Sequence, residues 1–150
     1  MQDENMKILI AEDERDVASA YRIVLEERNH ELVVTDNGEA CLEVYREKFR
    51  NSIAGTESTN NPQDLFDGVI LDYKMPGMNG IEVAKEILRI NPKQRIIICS
   101  AYPAEAFSDS LKHLGQSIEL MQKPFDIDTL INIGSMKKNL TTRRISNNAR

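Results

Sequence analysis

The stretch Val69-Ile70-Leu71-Asp72-Tyr73-Lys74-Met75-Pro76-Gly77-Met78-Asn79-Gly80 decides how this chain is read. Three apolar residues lead into an aspartate, and Pro76 with two glycines then turns the chain. An apolar run that stops at a Pro/Gly cluster reads as a strand buried on both faces. Asp72 then stands where that strand meets solvent, and in open α/β sheets ligands bind at the carboxyl ends of the strands. A carboxylate there can attack phosphorus and form an aspartyl-phosphate. A lone strand-end aspartate can equally do no more than cap the turn. The rest of the chain decides between the two.

On the N-terminal side, Arg50 to Gln63 is rich in Ser, Thr, Asn and Gly with one Pro, and reads as a loop or disordered insertion. Before it, Cys41, Leu42, Val44, Tyr45 and Phe49 recur at helical spacing, after an Asp36-Asn37-Gly38 turn. Leu32 to Thr35 reads as a strand, and Lys7 to Ala11 as an earlier one that ends in Glu12-Asp13. Between them, Val17, Tyr21, Val24 and Leu25 predict a helix from about Glu14 to Arg28.

On the C-terminal side, Val83, Ala84, Ile87 and Leu88 predict a helix from Gly80 that stops near Asn91-Pro92. Arg95 to Cys99 is a further strand, ending in Ser100. A helix is expected from Ala104 to Leu114, closed by Gly115, and then a weaker strand from Ser117 to Met121 that ends near Lys123-Pro124. Ile127, Leu130 and Ile131 place a last helix from Asp126 to about Leu140, weakened by Gly134. Five strands alternating with five helices predict an α/β, doubly wound, five-stranded parallel sheet. Right-handed crossovers make the flavodoxin-like order 2-1-3-4-5 the simplest topology.

At 150 residues the chain is long enough for one domain with one core. The domain is expected over 1–140, with a basic tail at 141–150 too short for an output domain. The net charge of −5 is uneven: five of the nineteen basic residues follow Met136 and none of the twenty-four acidic ones does. An acidic body argues against broad binding to a nucleic-acid backbone and suits a divalent cation. The tail has no interleaved aromatic residues to stack on bases. Acids occupy the N-terminus where a signal peptide would carry bases, and no apolar run approaches the ~20 residues of a membrane helix. The expected location is the cytoplasm, with no membrane partner. Cys41 and Cys99 read as small reduced core residues, no Cys/His spacing suggests zinc, and His30 and His113 read as surface residues.

In the predicted topology the strand ends bring Glu12, Asp13, Asp72, Ser100 and Lys123 into one crevice. Three carboxylates together repel unless a cation offsets them, and an all-oxygen set suits Mg²⁺. Lys123 and Ser100 supply a positive charge and a hydroxyl suited to phosphoryl oxygens.

These residues resemble the receiver domain of two-component response regulators. The matching motifs are Ile8-Leu9-Ile10-Ala11-Glu12-Asp13, Leu71-Asp72-Tyr73-Lys74-Met75-Pro76-Gly77-Met78-Asn79-Gly80, Cys99-Ser100-Ala101 and Lys123-Pro124-Phe125. The resemblance covers roughly residues 6–140. It implies that Asp72 accepts a phosphoryl group from a histidine kinase or phosphotransfer protein and that the chain signals to a downstream protein. Asp13, Asp72 and the backbone carbonyl of Lys74 would hold Mg²⁺, with Glu12 acting through a water. Lys123 and Ser100 would bind the phosphoryl oxygens. Such a chain catalyses its own phosphorylation and dephosphorylation without being a conventional turnover enzyme.

Several positions depart from the family pattern. Leu120 stands where an aromatic residue usually reports phosphorylation, which puts the usual readout in doubt. Glu12 replaces the commoner Asp, Ser100 the commoner Thr, and the 50–63 insertion lengthens the spacing between Asp13 and Asp72. Two other functions fit part of the pattern. One is a pseudo-receiver that binds partners without phosphorylation. The other is a Mg²⁺-dependent phosphatase with Asp72 as nucleophile, although Lys74 stands where that class needs a second acid.

Overall fold

The computed structural model describes residues 5–54, 65–112, 114 and 118–124. Five strands, β1 (Lys7–Ala11), β2 (Glu31–Thr35), β3 (Gly68–Asp72), β4 (Ile96–Ser100) and β5 (Ile118–Gln122), form one sheet in the order β2-β1-β3-β4-β5. All four pairings are parallel, and the register sets Asp72 beside Cys99 and Ser100 beside Gln122. The fold class and strand order are those expected from the sequence.

Every residue of β3 and β4 is buried, which is why both read as unbroken apolar runs. Alternate residues serve opposite faces of the sheet. Ile8, Ile10, Ile70, Ile97 and Cys99 meet Tyr21, Val24 and Leu25 of α1 (Arg15–Glu26). Leu9, Ala11, Val69, Leu71, Ile96 and Ile98 face the other layer, where α2 (Gly38–Ala54) brings Cys41, Leu42 and Tyr45, and α3 (Gly80–Ile90) brings Val83, Ala84 and Ile87. Each fully buried Leu or Ile contributes roughly 1.5–3 kcal/mol, so these two layers dominate the core.

The first turn of α3 is fixed by a capping box. Asn79 Oδ1 accepts from the Glu82 N–H, and Glu82 Oε1 accepts from the Asn79 N–H, both at 2.9 Å. Gly80 follows directly: a Cβ there would lie 2.6 Å from the Asp72 carbonyl oxygen. Only glycine lets α3 start this close to the backbone that carries Asp72.

Three expectations are corrected. Helix α2 runs on to Ala54, four residues past Arg50, and Ser52 in this added turn is buried. The helix expected from Ala104 to Leu114 is a 3-10 turn, Ala104–Phe107, followed by a four-residue helix, α4 (Ser108–Leu111). Ser108, Asp109 and Ser110 form helix poorly, and Phe107 and Leu111 are the residues that turn inward. His30 is buried, not exposed: its Nδ1 accepts from the Met6 N–H at 3.1 Å, which ties the α1–β2 corner to the start of β1.

Cys41 and Cys99 are free and buried, and burial pushes both thiols up to about 12. Both are inert core residues at neutral pH. His113, residues 55–63 of the expected insertion, the last helix and the basic tail lie outside the described residues. Among the described residues no helix is long and apolar enough to cross a membrane.

Candidate phosphoacceptor site

Each candidate side chain is carried to one end of the sheet by a strand that ends there. Glu12 and Asp13 follow β1, Asp72 closes β3, Ser100 closes β4, and Lys123 comes one residue after β5. Carboxylate oxygens of Glu12, Asp13 and Asp72 lie within 4.8 Å of one another. Asp13 is exposed, whereas Glu12 and Asp72 are 2% and 7% exposed.

Lys123 ties this group together. Its Nζ donates to Asp72 Oδ1 at 2.9 Å and to Glu12 Oε1 at 3.4 Å. The Lys123 N–H donates to the Ser100 carbonyl at 2.7 Å, which anchors the lysine backbone to the end of β4. Glu12 Oε2 accepts from the Glu14 N–H at 3.0 Å, fixing its carboxylate at the start of α1. Ser100 Oγ accepts from the Tyr102 N–H at 2.9 Å, a short hydroxyl-to-backbone turn.

Three carboxylates face one ammonium, and the balance shows at Asp72, Glu12 and Lys123. Burial raises the Asp72 carboxyl above its usual range, with Asp13 and Glu14 adding to the rise and Lys123 opposing it. Burial likewise raises Glu12, with Asp72 adding and the Glu14 N–H and Lys123 opposing. Burial alone would lower Lys123, but its hydrogen bond to Asp72 and the charges of Glu12 and Asp72 outweigh that and raise it. An all-oxygen group with uncompensated negative charge fits a hard divalent cation. Among the described residues, Glu12, Asp13 and Asp72 form a carboxylate group that could hold one. Lys74, two residues beyond Asp72, is exposed.

Sequence reasoning did not single out the aromatic layer beside this crevice. Tyr73 packs on Phe107 with ring centroids 4.8 Å apart, and Tyr102 meets each of them at 6.3 Å, all three pairs edge-to-face. Tyr73 and Tyr102 were visible as neighbours of Asp72 and Ser100, but Phe107 reaches them only through the 3-10 turn that the spacing did not predict.

The model of the response regulator receiver domain matches residues 8–134. The chain is 31% identical over 126 residues to sporulation initiation phosphotransferase F of Bacillus subtilis, a match that spans 84% of this chain and 88% of that protein. It is 30% identical over 141 residues to sensory transduction protein LytT of Oceanobacillus iheyensis, spanning 92% of this chain but 50% of LytT. Among solved structures, the Francisella response regulator 1452 receiver domain superposes with a TM-score of 0.63 at 27% identity, covering 89% of this chain and 99% of that one. A CheY-like receiver domain protein from Methanospirillum hungatei gives a TM-score of 0.67 at 20% identity over 91% and 94% of the two chains, which speaks for the fold alone. With its sheet order, its strand-end acids and these matches together, the chain belongs to the response regulator receiver domain family of two-component signal transduction.

Proposed function

We propose that this chain is a phosphoacceptor that takes a phosphoryl group onto Asp72 and passes the signal to a partner protein. The observation that carries the reading is the placement of Lys123 Nζ 2.9 Å from Asp72 Oδ1, inside a group of three carboxylates. The donor is a phosphohistidine of a histidine kinase or a phosphotransfer protein. A carboxylate oxygen of Asp72 attacks phosphorus, the P–N bond breaks with its electron pair passing to the imidazole nitrogen, and that nitrogen takes up a proton. Lys123 places its positive charge where the phosphoryl oxygens gather, and the Ser100 hydroxyl turns to donate to one of them. Phosphoryl transfer asks mainly for such positioning and charge neutralisation.

Asp13, Asp72 and the Lys74 carbonyl would hold Mg²⁺, with Glu12 contributing through water. When bound, the cation offsets the carboxylate charge that would otherwise repel an incoming phosphate. We place this reaction in the cytoplasm, in a receiver unit over 1–140 that carries the 50–63 insertion.

The test is incubation with acetyl phosphate and Mg²⁺ followed by intact mass and peptide mapping. A single phosphoryl adduct on Asp72 is expected. No adduct would leave a pseudo-receiver, and steady release of phosphate from simple esters would instead mark a phosphatase.

A further inference from the structure

Strand β2 closes one edge of the sheet and pairs with β1 alone. Its Glu31 N–H donates to the Met6 carbonyl at 2.8 Å, and its Thr35 carbonyl accepts from the Glu12 N–H at 3.0 Å. Backbone groups alternate sides along a strand, so residues 31, 33 and 35 turn toward β1, and Leu32 and Val34 aim their N–H and C=O groups outward. Sheet edges are commonly blunted by lysine, proline or a bulge. Glu31-Leu32-Val33-Val34-Thr35 has neither Lys nor Pro, and it keeps unbroken register with Lys7–Ala11.

Val33, paired with Leu9, lies on the face of the sheet that α2 packs against, yet it is 41% exposed. A cavity of about 370 Å³ opens beside it between β2 and α2, with Val44 on its wall. Two acids, Glu31 and Glu47, and two bases, Lys7 and Lys48, also line it. The chain carries a net charge of −5, but this surface is balanced.

We propose that β2 is the docking edge for a second copy of this chain, the two β2 strands pairing antiparallel about a two-fold axis at Val33 and joining the two sheets into one. In that register Leu32 of each copy stands opposite Val34 of the other, and each such pair exchanges two backbone hydrogen bonds. All the outward groups of the strand are then satisfied, whereas an axis one residue to either side pairs only half of them. Val33 meets its own counterpart as the closely spaced pair between the hydrogen-bonded ones. Glu31 faces Thr35 of the second copy, so no like charges meet directly across the seam. Such an axis is perpendicular to the sheet, which sets both α2 helices on one side of it, with a shared groove over the two valines. A nucleic acid, or a strongly acidic or basic peptide, would leave one sign of charge in the lining facing its like, and a second copy does not.

Full-length protein is sedimented to equilibrium across roughly 5–500 µM, with a monomer–dimer constant expected on the order of 100 µM. Val33→Lys sets two like charges on the axis and should weaken the dimer roughly fivefold or more. Val33→Cys places two thiols on Cα atoms about 4.5 Å apart, within disulfide range. Cys41 and Cys99 are buried, so mild oxidation should give a covalent dimer linked through position 33 of both copies. Val33→Lys dimers of unchanged strength would put the contact on another surface and overturn the proposal, as would a disulfide to a native cysteine. If Val33→Lys fails to fold, the Val33→Cys variant decides: linkage at position 33 that rises with concentration supports the pairing, and its absence overturns it. A wild type that stays monomeric throughout also overturns it, and hydrogen exchange then says what the edge takes instead. Protected Leu32 and Val34 amides in that monomer would mean an occupant from the same chain, and rapidly exchanging ones an edge left open to another protein.

Discussion

Lys123, one residue past β5, donates a 2.9 Å hydrogen bond to Asp72 at the end of β3, reaching across the end of β4 that lies between them. This one side chain offsets two buried carboxylates, since Glu12 also accepts from it. Lys123→Met keeps the apolar stem and removes the charge. It should abolish the phosphoryl adduct and cost about 1–3 kcal/mol of stability without divalent cation, because Asp72 and Glu12 lose their ammonium partner. Saturating Mg²⁺ should recover most of that loss. Urea unfolding with and without Mg²⁺ checks this, and an equal loss under both conditions would contradict the shared role of lysine and cation.

Asp72→Asn should also abolish the adduct while raising stability. The groups facing Asp72 are Glu12, Asp13, Glu14 and Lys123. Burial holds the Asp72 and Glu12 carboxyls above their usual range, so each binds its proton more tightly in the folded state. Their ionisation therefore penalises folding: stability falls as pH rises through the acid range and levels off above the raised values. Lys123, raised overall, contributes stability that persists until pH passes 10.5 and does not vary in that range. An asparagine oxygen still accepts from Lys123, and one carboxylate is gone. The variant should be about 1 kcal/mol more stable at neutral pH without Mg²⁺. The gap should close on acidification, as the raised wild-type carboxyl takes up its proton. A gap that widens on acidification would contradict the assignment.

The strand order and the converging acids were legible in the sequence because parallel strands buried on both faces announce themselves as apolar runs ending in polar residues. Ile96 to Ser100 is such a run, and so is Val69 to Asp72. What was not legible depends on distant partners. His30 looks like a polar corner residue until Met6, twenty-four positions away, donates to its ring. Ala104 to Leu114 has helical spacing, yet few of its residues meet the core and the helix is cut to a single turn after Phe107. The aromatic layer joins residues following β3, β4 and the 3-10 turn, a contact that no local period encodes.

Asp13 differs from the other two acids in being exposed. Removing it should leave the fold unchanged while weakening the cation site, since the remaining acids are already engaged by Lys123. Asp13→Ala is expected to lower Mg²⁺ affinity by at least about tenfold, with a change in stability within about 0.5 kcal/mol in cation-free buffer. Calorimetric Mg²⁺ titration reads the first quantity and urea unfolding the second. Unchanged affinity would remove Asp13 from the proposed ligand set.

The lifetime of the adduct is expected to depend on Lys74 and Tyr102, which stand two residues past Asp72 and Ser100. Both are exposed, but they are held differently: the Tyr102 ring keeps edge-to-face contacts with Tyr73 and Phe107. A packed ring excludes water for most of the time, while an exposed lysine stem samples many rotamers and excludes it for less. Self-dephosphorylation should accordingly be slow, and a Lys74→Asn, Tyr102→Glu double variant should lose its phosphoryl group roughly tenfold faster, equal to about 1.4 kcal/mol of barrier. The larger part of that change should come from Tyr102→Glu, which removes the packed ring and places an acid able to orient water. The measurement is the decay of the isolated adduct in Mg²⁺ buffer, followed by intact mass for the wild type, both single variants and the double. Equal or slower decay in the double variant would mean that neither side chain shields the phosphoryl group, and a larger effect from Lys74→Asn would mean that the packed ring is not the barrier to water.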